Sequence, residues 1–187
     1  MRRTRTSSLV AAVLVTVSLG LGACGGDDDK EGSAAPAPKA YNQTDVAFAA
    51  DMTPHHKEGV ELGKLAVEKG VNPQVKSLGR DIVEAQTREA ETLMGFLGTF
   101  GDVEPAMSAA IEERGMAGMA KLEKVSGAAF DKLWLDVIGG HHASAIQMAN
   151  IEKAGGRYPQ AKQLAEAIIS TQTRELTQFN KLSAGME

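Results

Sequence analysis

From Asn42 onward, apolar residues recur at helical spacing in four long runs. In the first, Phe48, Met52, His55, Gly59, Leu62 and Ala66 share one face when each residue advances about 100°. Asn42, Thr44 or Asp45 can cap this run, and Gly70 with Asn72-Pro73 marks its end and the opening of the next. The second run, Pro73 to Phe100, has the stripe Val75, Leu78, Ile82, Leu93 and Phe96. The third starts near Ser126, turns Trp134, Ile138, His141, Ala145 and Met148 inward, and stops at Gly155-Gly156. The fourth runs from Pro159 to Leu182. Pro54 lies inside the first run and is expected to kink it or to remove one ladder bond. Between the second and third runs, Gly115 and Gly118 read as breakers, which predicts two short helical pieces. The expected fold class is all-α: a four-helix bundle of two antiparallel hairpins.

The second pair of runs repeats the first. Asp51 to Gly63, DMTPHHKEGVELG, returns as Val137 to Ala149, VIGGHHASAIQMA. At the same offset Asp45 matches Asp131, Phe48 matches Trp134, Pro73 matches Pro159 and Ile82 matches Ile168. Gln86-Thr87-Arg88-Glu89 matches Gln172-Thr173-Arg174-Glu175 letter for letter. Two copies indicate a folded pair with pseudo-two-fold symmetry, whereas a solenoid needs three or more. The division is repeat one 42–100, linker 101–125 and repeat two 126–183.

The first forty residues follow a different pattern. Arg2, Arg3 and Arg5 precede an apolar stretch from Ser8 to Gly20, too short and too early for a spanning helix. Leu21-Gly22-Ala23-Cys24 resembles a bacterial lipoprotein box, in which the cysteine is lipidated and becomes the new N-terminus. Residues 1–23 therefore read as a lipoprotein signal and 24–40, rich in Gly, Asp, Ala and Pro, as a disordered tether. Residues 41–187 form the duplicated helical domain. Cys24 is the only cysteine, so no internal disulfide is available. The expectation is a lipid anchor at Cys24 and a place on the extracytoplasmic face of the cell membrane. Lys and Arg number 20 against 24 Asp and Glu, and that balance argues against a nucleic-acid partner.

All four histidines lie in the repeated segment, as His55–His56 and His141–His142. Gln86 and Glu89 interrupt the apolar stripe of the second run, and Gln172 and Glu175 that of the fourth. Buried amides and carboxylates cost several kcal/mol without partners. His55, Gln86, Glu89, His141, Gln172 and Glu175 can thus meet around the pseudo-two-fold axis. Imidazole suits copper, zinc, iron and nickel, and a ligating histidine usually donates its other N–H to a carboxylate or carbonyl. Glu89 and Glu175 are open as ligands or orienters, with Gln86 and Gln172 in a supporting role. His56 and His142 are open as ligands, surface residues or hydrogen-bond partners. A satisfied polar core that fixes register is the competing account of the same residues. In the linker, Met107, Met116 and Met119 fit either adaptable packing or a soft ligand set.

Asp45-x-x-Phe48-x-x-x-Met52-x-x-His55-His56-x-x-Gly59-Val60 resembles the signature of the family called domain of unknown function 305. So do Asp131-x-x-Trp134, His141-His142-x-x-Ala145-Ile146-x-Met148 and the segment Ser126 to Asp131. The resemblance spans Asp45 to Leu182. It implies a ferritin-like four-helix bundle, often exported, with some members linked to copper binding and copper tolerance through Met and His. On that basis the implied metal ligands are His55, His56, His141, His142, Met52 and Met148. This chain departs from the family in having Ile138 where a Met usually stands. Thr53-Pro54 and Gly139-Gly140 also stand where Ile-Pro or a similar dipeptide is common. The Glu-x-x-His pattern of di-iron bundles is absent. No nucleophile elbow, phosphate loop or HExxH supports an enzyme. The leading expectation is a lipid-anchored protein that binds a transition metal, copper above all, as a buffer or tolerance factor. A metal-free structural or interaction module of the cell envelope is the alternative.

Overall fold

The computed structural model describes residues 40–186, which form five helices. They are α1 (Gln43–Lys69), α2 (Pro73–Thr99), α3 (Ala109–Leu122), α4 (Gly127–Gly155) and α5 (Pro159–Ala184). The signal, Cys24 and almost all of the tether expected from the sequence lie outside the described residues. No described helix is long and apolar enough to cross a membrane.

Of the three candidate caps, Asn42 is the one used. Its side chain accepts from Thr44 N (2.8 Å) and Asp45 N (3.2 Å), and Asp45 Oδ2 accepts in return from Asn42 N at 2.6 Å. Asn72 caps α2 through Gln74 N at 2.8 Å, with Pro73 in the first turn, where its missing N–H costs nothing.

Helix α1 packs on α2, α4 packs on α5, and the hairpins meet along α1 and α4, while α2 and α5 hardly touch. Two apolar clusters fill the bundle. One gathers Phe48, Met52, Leu93 and Ile168, and the other Leu62, Ile82, Trp134, Ile138 and Phe179. The histidines lie between them along α1 and α4. The expected stripe of α2 is rotated slightly: Gly79, Ala90 and Leu97 are buried, and Leu78 and Phe96 are half-buried flanks.

Each hairpin holds the turn of the other. Asp45, at the start of α1, accepts from Arg157 N (2.9 Å) and Tyr158 N (2.8 Å) in the α4–α5 turn. Asp131, at the start of α4, accepts from Val71 N (3.1 Å) and Asn72 N (2.7 Å) in the α1–α2 turn. Both carboxylates are buried, and each satisfies turn N–H groups that would otherwise lack acceptors. Burial raises the Asp45 carboxyl, but bonds from Asn42, Tyr158, Glu152 and Arg157 outweigh it and hold the group below the usual carboxylate range. Glu152, which replaces the Ala66 of the first copy, is buried next to Asp45. Burial first, and then the hydrogen bond to Asp45 and its charge, push Glu152 up to about 8, against a smaller opposing pull from Lys162.

Of two expectations for the connecting segments, that for Pro54 holds and that for the linker changes. Helix α1 is continuous through Pro54 and loses one ladder bond there, as expected. The carbonyl that Pro54 cannot bond, that of Ala50, accepts instead from Ala106 N at 3.1 Å, which ties the linker to α1. The linker holds one 14-residue helix, not two short pieces. Gly115 and Gly118 permit close approach rather than breaking the helix. A Cβ on Gly115 would land on the Glu58 carboxylate, and one on Gly118 would sit 2.9 Å from Val137 Cγ1.

Asp131→Ala should lower unfolding free energy by roughly 1–3 kcal/mol, because the hydrogen bonds from Val71 N and Asn72 N to a buried carboxylate are lost, as measured by urea unfolding. Glu152 carries a pH prediction. Its folded pKa lies above the unfolded 4.5, so its stabilising contribution is complete below 4.5 and is lost as pH rises towards about 8. Glu152→Gln should remove that slope, gaining on the order of a few kcal/mol over wild type near pH 8 and little near pH 4, in the same assay. A parallel pH profile in both proteins would contradict the assignment.

Candidate metal centre

Adjacent helical residues differ by about 100° in direction, so the two histidines of a pair face different neighbours. His55 of α1 faces α4 and stacks on His141, with ring centroids 3.8 Å apart and planes inclined by 25°. His56 faces α2, where its Nε2 donates to Glu89 Oε2 at 2.8 Å. The second copy repeats this: His142 Nε2 donates to Glu175 Oε2 of α5 at 2.6 Å. His141 Nε2 donates to the carbonyl of His55 at 2.9 Å. The four rings form a row, His56, His55, His141, His142, with outer centroid spacings of 6.2 and 6.0 Å.

The close crossing needs a small residue, and Gly59 supplies it. A Cβ there would collide with Gln86 Oε1 and come within 2.7 Å of His141 Cε1. Ala145 holds the matching place in α4 and is fully buried. Gly59 is thus where Gln86 reaches the histidine layer.

The hydrogen-bond partners decide the tautomers. A carbonyl or carboxylate only accepts, so Nε2 carries a proton in His56, His141 and His142, and in the neutral ring of His141 the lone pair is on Nδ1. The Nδ1 atoms of all four histidines are buried without a protein partner, as are both amide atoms of Gln86 and of Gln172. Buried polar atoms are rarely left so. One ring nitrogen held by a carboxylate or carbonyl and the other bearing a free lone pair is the arrangement of a metal-ligating histidine. On this test the residues fit a metal that prefers imidazole nitrogen. Glu89 and Glu175 hydrogen-bond His56 and His142, and these two histidines are buried partners, not surface residues.

Among the described residues, however, no three or more His, Cys, Asp or Glu side chains are grouped to hold a metal as they stand. The cluster is therefore not a preformed multidentate cage like a structural zinc site. It is organised in pairs, His55 stacked on His141 and flanked by His56–Glu89 and His142–Glu175.

Burial, reinforced by the charges of His141, His56, His142 and Arg114, holds His55 well below the ordinary imidazole value. Burial and then His142 bring His141 down to about 3, despite the opposing hydrogen bond to His55 and with His56 adding to the fall. Both rings are neutral at neutral pH, the form in which imidazole binds metal.

His55 and His141 open onto a cavity of about 310 Å³ between α1, α4 and α3. Glu58 and Ser144, which occupy matching positions in the two repeats, line it together, so the pseudo-two-fold axis passes through the cavity. Helix α3 lies across one side of it through Gly115 and Gly118. This wall was not read from the sequence, although the Gly-x-x-Gly spacing was a usable signal for close helix approach. Met52 is fully buried in the apolar cluster with Phe48. Met148 is half-buried beside the same cluster and faces a separate surface cavity with Phe48 and Ile151.

The model of the family Domain of unknown function (DUF305) matches residues 45–183. A comparison with curated proteins found no match. Among solved structures, a DUF305 protein of Streptomyces coelicolor has a TM-score of 0.67 at 24% identity, covering 76% of this chain and 93% of that one. A DUF305 fragment from Deinococcus radiodurans has a TM-score of 0.68 at 23% identity, covering 76% and 97%. CopM in its Cu(I)-bound form has a TM-score of 0.67 at 24% identity, covering 77% and 98%, and CopM has also been solved with Cu(II) and with Ag bound. At these identities the structural likeness is one of fold. The family match begins at Asp45, the first of the two turn-holding aspartates, and ends in the last turn of α5, so it takes in every helix of the bundle and the chain belongs to the DUF305 family.

Proposed function

We propose that the protein binds a transition-metal ion, copper being the best fit, at the layer formed by His55 and His141, and buffers that metal outside the cytoplasm. The observation that carries this is the pair of stacked, buried imidazoles whose Nδ1 atoms have no protein partner and whose rings line a cavity. Pairwise imidazole donors suit Cu(I) better than Zn(II), which takes four ligands in structural sites. The metal-bound forms of CopM, which shares the fold, support the choice of copper. His56 and His142, braced by Glu89 and Glu175, are the next candidates as donors, and Met52 and Met148 stand apart from the layer in and beside the apolar cluster. The lipoprotein box at Cys24 supports attachment to the outer face of a membrane.

One observation favours the metal-free alternative. The His56–Glu89 and His142–Glu175 bonds are complete without an ion and would fix helix register unaided.

The two readings separate in one experiment. His55→Ala/His141→Ala should bind one fewer equivalent of Cu(I) than wild type in a competition titration with a chromophoric chelator. Wild type should melt higher with Cu(I), since ligand at 100 times Kd contributes about 2.7 kcal/mol. Unchanged stoichiometry and affinity in the variant, with no effect of copper on wild-type melting, would leave only the register role. For the anchor, mass spectrometry of protein from the native envelope should find a lipid on Cys24, and Cys24→Ser should shift the protein to the soluble fraction. Retention of Cys24→Ser in the membrane pellet would refute lipid anchoring.

A further inference from the structure

Three methionines outside the histidine layer share one groove. Met116 and Met119 lie three residues apart on α3, one turn along the same face, and Met107 reaches the groove from the linker. Its position follows from Pro54: the freed Ala50 carbonyl holds Ala106 N, and Met107 is the next residue. Glu58 and Glu61 of α1 and Glu112 of α3 line the same groove. Packing accounts for Met119, which lies against the apolar cluster around Leu62 and Trp134. It does not account for Met116, whose side chain is 61% exposed.

We propose that this groove is a separate binding site for a soft monovalent cation, Cu(I) or Ag(I), with the thioethers of Met107, Met116 and Met119 as donors. Thioether sulfur is a neutral, polarisable ligand that selects such ions over Zn(II), Mg(II) or Ca(II). The carboxylates of Glu58, Glu61 and Glu112 raise the local cation concentration without competing as soft donors. Exposure of Met116 then has a purpose, since a donor at the surface can meet an incoming ion. The groove also adjoins the cavity at the histidine layer, because Glu58 and Gly115 line both. A cation held by the methionines sits next to the opening that leads to His55 and His141. The site itself does not depend on the histidines binding metal.

Ag(I), which has no accessible redox change in water, is the probe. Isothermal titration of the purified protein compares wild type, Met107→Leu/Met116→Leu/Met119→Leu and His55→Ala/His141→Ala. Leucine conserves volume and apolarity, so the bundle should stay folded. The triple variant should lose one Ag(I) equivalent, or weaken it at least about tenfold, with its melting temperature little changed. The histidine variant should keep that equivalent. Methyl-labelled methionine spectra of wild type give a second readout that needs no variant. Sub-stoichiometric Ag(I) should shift the methyl signals of Met107, Met116 and Met119. Ag(I) binding by the triple variant equal to that of wild type, or methyl shifts confined to Met52 and Met148, would overturn the proposal. A triple variant that loses the equivalent while the histidine variant binds like wild type would sustain the groove and count against the histidine layer.

Discussion

The reciprocal grip of Asp45 and Asp131 sets the geometry on which everything else rests. Each carboxylate is anchored at the start of a long helix and accepts two N–H groups from the turn of the opposite hairpin. Two such grips, related by the pseudo-two-fold axis, limit how far α1 can slide along α4. A slide of one turn would leave a buried carboxylate without its donors at each end. That restriction brings His55 level with His141, and Gly59 lets the helices come close enough for the rings to stack. A polar interaction at the ends of the bundle thereby fixes a contact at its middle.

The middle layer is costly. Buried amides and imidazole nitrogens without partners work against folding, and the apolar clusters on either side must offset that. Evolution had an easy way to avoid the cost, since aliphatic residues at Gln86 and Gln172 would pack without polar atoms. Both copies instead place an amide there, Gln86 and Gln172, each buried with no protein partner for its amide atoms. The carboxylates of Glu89 and Glu175 meet part of that cost by accepting from His56 and His142.

Helix α3 breaks the symmetry. It crosses the pseudo-two-fold axis on one side only, and its attachment begins with Pro54, which has no counterpart in Gly140 of the second copy. A missing ladder bond in α1 became the acceptor for Ala106. The duplicated frame is thus symmetric in its helices and grips, and asymmetric in the face it presents to solvent.

Helix existence, caps, turns and the duplication were legible in the chain, because each depends on residues a few positions apart: Asn42 before Asp45, Asn72-Pro73, the recurrence of apolar positions every three or four residues. The inward direction of His55 and His141 was legible for the same reason. Three features were not: that Glu89 serves His56 rather than His55, that Asp45 and Asp131 reach across to the opposite turn, and that Gly115 and Gly118 sit inside a continuous helix. Each depends on the rotation and separation of helices far apart in sequence. Periodicity says which face of a helix is buried but not which neighbour that face meets, and a glycine that breaks a helix looks the same in sequence as one that lets two helices touch.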